Sequence, residues 1–269
     1  MKKIKLSAVI YTYLVCALLH FSSFANIGED PLLHLPKIVI SDPDWPPYFF
    51  KGAAYQPIGF AKELISQCVP KAGYRPEFIH FPIKRMRYFM EEGKIDIHIF
   101  SYKKERESFL LYAKEPIFSA SYRPFVHTDN PIVINQQRDF DGLVLGHLQG
   151  LRYSKDFYQY IEQRIEQNAI RVVGSNHALL KLLLDKKIDI FVNTSDTMFW
   201  LAQSMAERQN IKMLDYDIQT KDYFLSLAKK SKAITDKQQF ITDMDQCLRN
   251  LKKTGHYQTI ANRYGMAIN

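Results

Sequence analysis

The chain has 269 residues, of which 46% are hydrophobic and 24% are charged, as expected for a globular protein with a sizeable core. Its 11 glycines, 12 prolines and 3 cysteines exclude a collagen-like repeat, a disordered chain and a disulfide-rich scaffold. The formal net charge is +8, but the basic residues form only short groups, so we expect no nucleic-acid partner.

The first 25 residues have the pattern of a secretory signal peptide. Early lysines precede an apolar run over 6–21, and Ser23 and Ala25 supply the small residues that favour cleavage after Ala25. A lipid anchor at Cys16 is disfavoured because the bulky Val15 precedes that cysteine. No second apolar run of bilayer length follows, so we expect a periplasmic protein without a membrane anchor.

Short apolar strands alternate with amphipathic helices after the predicted signal peptide. In chain order the pattern predicts strand Lys37–Ser41, helix Gly59–Cys68, strand Pro76–Phe81, helix Ile83–Glu92 and strand Ile95–Phe100. Strands that alternate with helices in this way indicate βαβ units and a mostly parallel sheet.

A similar phrase occurs twice in the chain. Met90–Ile97 is echoed by Leu184–Ile190, and each phrase follows a predicted helix and enters a β-branched run. The second of these helices is predicted over Asn176–Lys186, with Ser175 as its N-cap. Because each copy lies in a stretch of domain size, the repeat indicates two α/β lobes.

Several short motifs follow one another in a characteristic order. They are WPPY at 45–48, GF at 59–60, GKID at 93–96, KKER at 103–106, LGHLQG at 145–150, KID at 187–189 and LKKTGHYQTIANRYG at 251–265. With this order of motifs, the chain resembles the family 3 extracellular solute-binding proteins, the polar-amino-acid-binding components of ABC importers. The similarity extends from Ile38 to Tyr264.

The resemblance implies an α/β fold of two lobes, the type II periplasmic-binding-protein fold, with a ligand cleft between the lobes. The first lobe would comprise residues 26–122 and 223–269, and the second lobe residues 123–222. The chain would cross between them near Tyr122–Val126 and Lys221–Phe224. Proteins of this kind close around a ligand by a hinge motion.

Arg106 is the strongest candidate for ligand binding. A guanidinium matches a carboxylate with two parallel hydrogen bonds. In the family, the arginine at this place binds the carboxylate of the ligand, and a hydroxyl at the place of Ser101 supports it. The alternative for Arg106 is a surface ion pair with Glu105 or Glu107.

Four other residues of the first lobe match family positions near the ligand. Trp45 and Tyr48 match aromatics that sandwich the apolar part of the ligand, and the alternative is an aromatic corner packed for stability. Asp42 matches a position that can meet a cationic side chain, and the alternative is a carboxylate that binds backbone N–H groups. Arg85 lies where relatives place a cleft arginine, and its alternative is an exposed position.

The second lobe departs from the pattern of amino-acid binders. Thr194 stands where those proteins carry the aspartate that binds the ligand's ammonium group, and Asp196 lies two residues further on. Arg152 follows the LQG motif near the place of a carboxylate-binding Ser or Thr, and it offers a second contact to an anion. We therefore expect organic acids or modified amino acids to bind better than standard amino acids, unless Asp196 restores the ammonium site.

Cys68 and Cys247 are the cysteines outside the predicted signal peptide. The resemblance places both in helices of the first lobe, and the periplasm permits a disulfide. A buried free thiol explains Cys68 equally well, so the sequence leaves both possibilities open.

The sequence predicts a monomeric periplasmic solute-binding protein for a small polar, carboxylate-bearing ligand, which it delivers to an importer permease or to a sensor. Motifs of hydrolases, nucleotide-binding loops and metal sites are absent from the sequence, so we expect neither a metal nor another cofactor. The alternative is an enzyme on the same fold, such as a dehydratase or lyase. Its general acid would be Glu63 or Glu115, both of which are expected at exposed positions.

Overall fold

The structure is a computed structural model that describes residues 32–53, 55, 58–81 and 85–266. The predicted signal peptide over 1–25 lies outside these residues. The chain divides into the units Met1–His34 and Leu35–Asn269, and of the first unit only a turn over 32–34 is described. Within the described ranges, no helix is both long enough and apolar enough to span a bilayer.

One mixed nine-stranded sheet organises the described part of Leu35–Asn269. Its strands are β1 Lys37–Ser41, β2 Arg75–Ile79, β3 Ile97–Ser101, β4 Leu110–His127, β5 Leu145–Leu148, β6 Ile170–Val173, β7 Ile190–Thr194, β8 Ile211–Met213 and β9 Gln219–Ala228. The order across the sheet is β2-β1-β3-β9-β4-β7-β5-β6, and β8 pairs with β4. The predicted strand Lys37–Ser41 is confirmed, and the other two predicted strands occur with slightly shifted ends.

Two parallel blocks of strands lie on either side of two long antiparallel strands. The first block contains β2, β1 and β3, and the second contains β6, β5 and β7. Between them, β4 pairs antiparallel with both β9 and β7, and β9 pairs antiparallel with β3. The predicted crossings near Tyr122–Val126 and Lys221–Phe224 fall within β4 and β9, the two strands that lie between the blocks.

Seven α-helices cover the sheet within the described residues. They are α1 Phe60–Cys68, α2 Met86–Glu91, α3 Lys155–Glu166, α4 Asn176–Leu184, α5 Ser195–Ser204, α6 Lys237–Lys253 and α7 His256–Arg263. The predicted cap of α4 is confirmed, because the Ser175 hydroxyl accepts a hydrogen bond of 3.1 Å from the Ala178 N–H. The predicted helix over Ile83–Glu92 is observed from Met86, and residues 82–84 lie outside the described ranges.

The hydrophobic core is divided in the same way as the sheet. One cluster packs β1, β3 and the start of β4 against α1, α6 and α7. Two further clusters pack β5, β7 and the end of β4 against α3, α4 and α5. We call the first group of elements the first lobe and the second group the second lobe. The residue boundaries between the lobes stay a prediction.

A disulfide joins two helices of the first lobe. Cys68 at the end of α1 is bonded to Cys247 in α6, with the two Cα atoms 5.7 Å apart. The two cysteines are separated by 179 residues of sequence. The alternative of a buried free thiol at Cys68 is therefore wrong.

Candidate functional site

The strand directions bring the carboxyl ends of both lobes to one place. Because β9 runs antiparallel to β3 and β4 runs antiparallel to β7, strands β3 and β7 point toward each other. The last residue of β3, Ser101, lies opposite Tyr223 of β9, and the last residue of β7, Thr194, lies opposite Tyr122 of β4. Ligands of α/β sheets bind outside the carboxyl ends of the strands, so the centre of β4 and β9 is the expected floor of a cleft.

Alternate residues of β4 and β9 form the two faces of this floor. Three cross-strand pairs share one face, which we call the cleft floor: Phe118–Tyr223, Ala120–Lys221 and Tyr122–Gln219. On this face the Phe118 and Tyr223 rings stack with centroids 5.1 Å apart, and the Tyr122 and Tyr223 hydroxyl oxygens are 3.3 Å apart. The pairs Ser119–Asp222 and Ser121–Thr220 lie on the opposite face.

The loop after β1 brings Trp45 onto the cleft floor. The half-buried Trp45 ring makes edge contacts with Tyr223 at 5.0 Å and with Phe118 at 5.4 Å between centroids. Tyr48, by contrast, is fully buried and stacks against Phe118 at 3.8 Å. Trp45 is thus placed to form a wall of the cleft, whereas Tyr48 packs within the aromatic corner that was its alternative reading.

A glycine allows this corner to form. Gly59 has φ +109°, and a Cβ at this position would lie 2.5 Å from the Tyr48 carbonyl oxygen. Only glycine accommodates both the positive φ and the close approach. The same carbonyl accepts a hydrogen bond of 2.9 Å from the Ala61 N–H at the start of α1. The GF motif thereby fixes the loop after β1 against the first helix.

Arg106 lies in a short 3₁₀ turn, Lys104–Ser108, that follows β3. Its guanidinium stacks over the Phe100 ring at 4.4 Å from the centroid and donates a hydrogen bond of 2.9 Å to the Ser101 carbonyl oxygen. Glu105 instead approaches Lys103 at 3.9 Å, and Glu107 accepts from the Tyr102 hydroxyl at 2.8 Å. The alternative of a surface ion pair between Arg106 and Glu105 or Glu107 is therefore wrong.

The surroundings of Arg106 are electropositive. Burial and then the Arg106 charge lower the pKa of His98 to about 3, so this histidine stays neutral. Burial, followed by the charges of Lys103 and Arg106, lowers the pKa of Lys221. Among the described side chains, no carboxylate lies within ion-pair distance of Arg106 or Lys221. The cleft floor therefore carries positive charge without a protein counter-charge.

Asp42 is held in a buried network of its own. Its Oδ2 accepts from Lys62 Nζ at 3.0 Å and from the Gly52 N–H at 2.8 Å, and both charged side chains are almost fully buried. This arrangement matches the alternative reading, in which Asp42 orders the loop backbone. Because the buried Lys62 ammonium already neutralises this carboxylate, Asp42 is a poor partner for a cationic ligand.

Two predicted arginines lie at exposed positions. Arg85 is exposed at the start of α2. Arg152 is also exposed, and its guanidinium stacks over the Tyr158 ring at 4.1 Å from the centroid. Arg152 still influences the interior, because its charge assists burial in lowering the pKa of His147 to about 4. Neither arginine contacts the cleft floor, and their roles in binding stay predictions.

Thr194 is almost fully buried, with 2% of its surface exposed. Its N–H donates to the Asn193 Oδ1 at 2.8 Å, and its hydroxyl donates to the Thr197 Oγ1 at 2.8 Å. These bonds satisfy the polar atoms of Thr194 within the start of α5. The place of an ammonium-binding aspartate therefore offers no free carboxylate here.

Asp196 connects the two lobes. Its Oδ2 accepts a hydrogen bond of 2.6 Å from the Tyr48 hydroxyl, which joins the loop after β1 to the first turn of α5. Burial raises the pKa of Asp196, and the bond from Tyr48 partly opposes this rise. A second contact between the lobes is aromatic, with Trp200 of α5 lying 5.1 Å from Phe50 and 6.4 Å from Tyr264.

Two cavities lie close to the elements described above. A cavity of ≈590 Å³ includes Ser119, Ser121, Thr220, Asp196, Lys252 and Tyr257 in its lining. Its Ser119, Ser121 and Thr220 lie on the face of β4 and β9 opposite to the cleft floor, whereas Phe118, which also lines it, belongs to the floor. Its Lys252 is paired with Glu115 at 2.6 Å. A second cavity of ≈450 Å³ lies between the loop after β1 and helices α4 and α5. The cleft floor differs from both cavities, because the half-buried Trp45 contacts it and Arg106, beside it, has no carboxylate partner among the described side chains.

The carboxylates considered for catalysis are engaged elsewhere. Glu63 is 4% exposed, pairs with Arg263 and accepts from the Tyr264 hydroxyl at 2.6 Å. The prediction of an exposed Glu63 was therefore wrong, because the C-terminal helix α7 covers it. Glu115 is half-buried against Lys252 of α6. In the described ranges, His, Cys, Asp and Glu side chains form no cluster suited to a metal.

Three floor residues had no assigned role in the sequence analysis. Lys221 was treated only as part of a crossing segment, and Tyr122 and Tyr223 only as the boundaries of the lobes. The available signal was the alternation of residues along β9, which places Lys221 and Tyr223 on one face. Using that signal requires the pairing of β9 with β3 and β4, which is a tertiary feature.

Comparison with known proteins agrees with this architecture. The model of the bacterial extracellular solute-binding proteins, family 3, matches residues 38–267. Among curated protein sequences, none matches the chain significantly.

Solved structures with low sequence identity share the fold. A histidine kinase sensor domain with similarity to periplasmic binding proteins is 18% identical, with TM-score 0.64 over 85% of this chain and 95% of that chain. The GluR0 ligand-binding core from Nostoc punctiforme, in complex with (L)-glutamate, is 18% identical, with TM-score 0.63 over 84% and 98%. The amino acid ABC transporter substrate-binding protein AbpA from Streptococcus pneumoniae, bound to L-arginine, is 16% identical, with TM-score 0.63 over 85% and 94%. These similarities confirm the predicted two-lobed α/β periplasmic-binding-protein fold.

Proposed function

Because the chain belongs to the bacterial extracellular solute-binding proteins of family 3, we propose that it captures a small, polar, carboxylate-bearing molecule between its two lobes. The observation that carries this proposal is the Arg106 guanidinium. It is held by Phe100 and the Ser101 carbonyl beside the cleft floor and lacks a carboxylate partner among the described side chains.

The position of Arg106 suits recognition of a carboxylate. Stacking on Phe100 and the bond to Ser101 restrict the guanidinium before the ligand arrives, which reduces the entropy lost on binding. The remaining N–H groups offer the forked geometry that binds a carboxylate with two hydrogen bonds. Trp45, on the same floor, supplies an apolar wall for the rest of the ligand.

The ligand class follows from the second lobe. An ammonium group needs a nearby negative charge, but Thr194 is neutral and the carboxylate of Asp196 accepts from Tyr48. Asp42 is neutralised by Lys62. We therefore propose that organic acids and modified amino acids bind more tightly than standard α-amino acids.

The partner and the compartment follow from the family. A solute-binding protein of an ABC importer would deliver its ligand to the permease. The structurally similar AbpA is described as the substrate-binding protein of an amino acid ABC transporter. Location in the periplasm is supported by the Cys68–Cys247 disulfide, since such bonds persist in oxidising compartments. A sensor partner is the second candidate, because one similar fold is a histidine kinase sensor domain.

Binding without catalysis is the simplest mechanism for this site. Closure of residues 123–222 over 26–122 and 223–269, about a hinge in β4 and β9, would trap the ligand. The ligand would stabilise the closed state by its additional contacts there. The enzyme alternative lacks support from Glu63 and Glu115, because both are paired with cations of the C-terminal helices.

A thermal-shift screen of the purified protein against monocarboxylates, dicarboxylates, amino acids, polyamines and aromatic acids tests the proposal. A ligand at 100 times its Kd stabilises the protein by about 2.7 kcal/mol. We expect carboxylates to raise the melting temperature and Arg106→Ala to weaken their binding by roughly 30-fold or more, because a charge pair in the closed cleft is lost.

Arg249→Ala, which removes an exposed guanidinium from α6, is the matched control and should bind like the wild-type protein. Stabilisation by polyamines alone, or equal binding by the Arg106→Ala variant, would contradict a carboxylate site. Conversion of a stabilising ligand into a product, detected by mass spectrometry, would favour the enzyme alternative.

A further inference from the structure

Lys221 occupies the centre of the cleft floor. It lies opposite Ala120 of β4 and two residues before Tyr223, whose ring contacts Trp45. The pairing between β3 and β9 ends at Ser101 and Tyr223, so Lys221 lies beyond the end of β3. The turn that carries Arg106 also follows the end of β3.

The positive charge at this place is not neutralised by the described part of the chain. No carboxylate there forms an ion pair with Lys221 or Arg106, and Lys103 has only the exposed Glu105 at 3.9 Å. Asp222 follows Lys221 but projects to the opposite face, where the Ser119 hydroxyl donates to it. Burial, followed by the nearby charges of Lys103 and Arg106, lowers the pKa of Lys221.

Two neighbouring cations at a partly buried site repel each other, and bound negative charge offsets this electrostatic repulsion. One carboxylate bound in the fork of Arg106 carries a single negative charge and therefore neutralises only one of the two cations. We propose that the ligand carries two anionic groups, the first bound by Arg106 and the second by Lys221, so that Lys221 determines specificity for a dianion. This inference rests on the proposed function and narrows its ligand class.

The chemical class is a small dicarboxylate or a monocarboxylate with a second acidic group. Lys221 presents its charge from a strand of the hinge, where both lobes meet, so the second anionic group would lie deepest in the closed cleft. Tyr112 lies beside Arg106, whose hydrogen bond and charge oppose the rise that burial causes in the pKa of Tyr112. Its hydroxyl is a further donor close to the first anionic group.

Pairs of ligands that differ by one charge and keep their shape test the role of Lys221. We would measure calorimetric affinities for succinate against succinamate, glutarate against glutaramate, and L-glutamate against L-glutamine. The wild-type protein should bind the best dianion at least ~10-fold more tightly than its monoamide. Lys221→Gln should reduce this preference to within about 3-fold while the affinity for the monoamide stays the same.

Two variants serve as controls. Lys221→Arg keeps the charge and should keep the preference for the dianion, which also shows that the position tolerates substitution. Lys232→Gln removes one exposed positive charge outside the cleft and should bind as the wild-type protein does.

The outcomes separate this inference from the proposed function. Equal binding of a dianion and its monoamide, or equal weakening of both by Lys221→Gln, would overturn the role of Lys221 and leave a carboxylate site at Arg106. Binding of monocarboxylates without binding of any dianion would overturn it as well. If no carboxylate of either kind binds, the proposed function fails together with it.

Discussion

His98 lies on β3 opposite Ser226 of β9, and its Nδ1 is hydrogen-bonded to the Ser41 hydroxyl. Burial and the nearby Arg106 charge lower the pKa of this histidine to about 3. In the unfolded chain a histidine titrates near pH 6.5. Below about pH 6.5 this histidine therefore binds a proton in the unfolded state but stays neutral in the folded state, so acid destabilises the folded state.

We expect the free energy of unfolding to fall by up to about 1.4 kcal/mol per pH unit below about pH 6 for His98 alone. Buried His147, with its pKa lowered to about 4, adds to this dependence. The His98→Gln variant should show a shallower decline in urea unfolding experiments at about pH 7 and about pH 5. His256→Gln, at an exposed position on α7, is the control, and an unchanged slope for His98→Gln would contradict the assignment.

At the level of elements, the disulfide links α1 to α6 across the first lobe. Closing a loop of 179 residues lowers the entropy of the unfolded chain and stabilises the folded state by about 5 kcal/mol in the chain-entropy model. The helices also pack together through buried side chains, so we expect the fold to survive without the bond.

The double variant Cys68→Ser/Cys247→Ser should unfold at a temperature lower by on the order of 10 °C, measured by calorimetry without reductant. Wild-type protein in strong reductant should approach the same temperature, whereas the variant should be insensitive to reductant. Peptide mapping that finds both cysteines alkylated in the purified protein, without prior reduction, would contradict the bridge.

At the level of the whole molecule, both tryptophans lie where the lobes meet. Trp45 contacts the cleft floor through Tyr223, and Trp200 of the second lobe contacts Phe50 and Tyr264 of the first lobe. Because Trp200 touches residues of the first lobe, its environment depends on how the two lobes lie relative to each other.

We expect a saturating carboxylate ligand to shift the emission of Trp45 to shorter wavelength, because the ligand and the second lobe exclude water from its ring. Trp45→Phe should lose this shift and keep only the response of Trp200 to closure. Trp200→Phe should keep the shift. A response that survives intact in Trp45→Phe and disappears in Trp200→Phe would place the ligand away from the cleft floor.

The sequence by itself determined the features that depend on near neighbours. Helical spacing predicts α1, and a serine at the right distance from the Ala178 N–H caps α4. The centre of strand β1, residues 38–40, is apolar, which predicts its burial. These features depend on residues within a few positions of each other, where spacing and capping chemistry decide the conformation.

Only the tertiary structure decided the pairs that make the site and its supports. The bond between Tyr48 and Asp196 joins residues 148 positions apart, and that between Glu63 and Tyr264 spans 201 positions. Local spacing carries no information about such pairs, because they form only after distant strands and helices have packed together. For the same reason the exposure of Glu63 was predicted wrongly, and Lys221 became a candidate for ligand binding only when β9 was paired with β3 and β4.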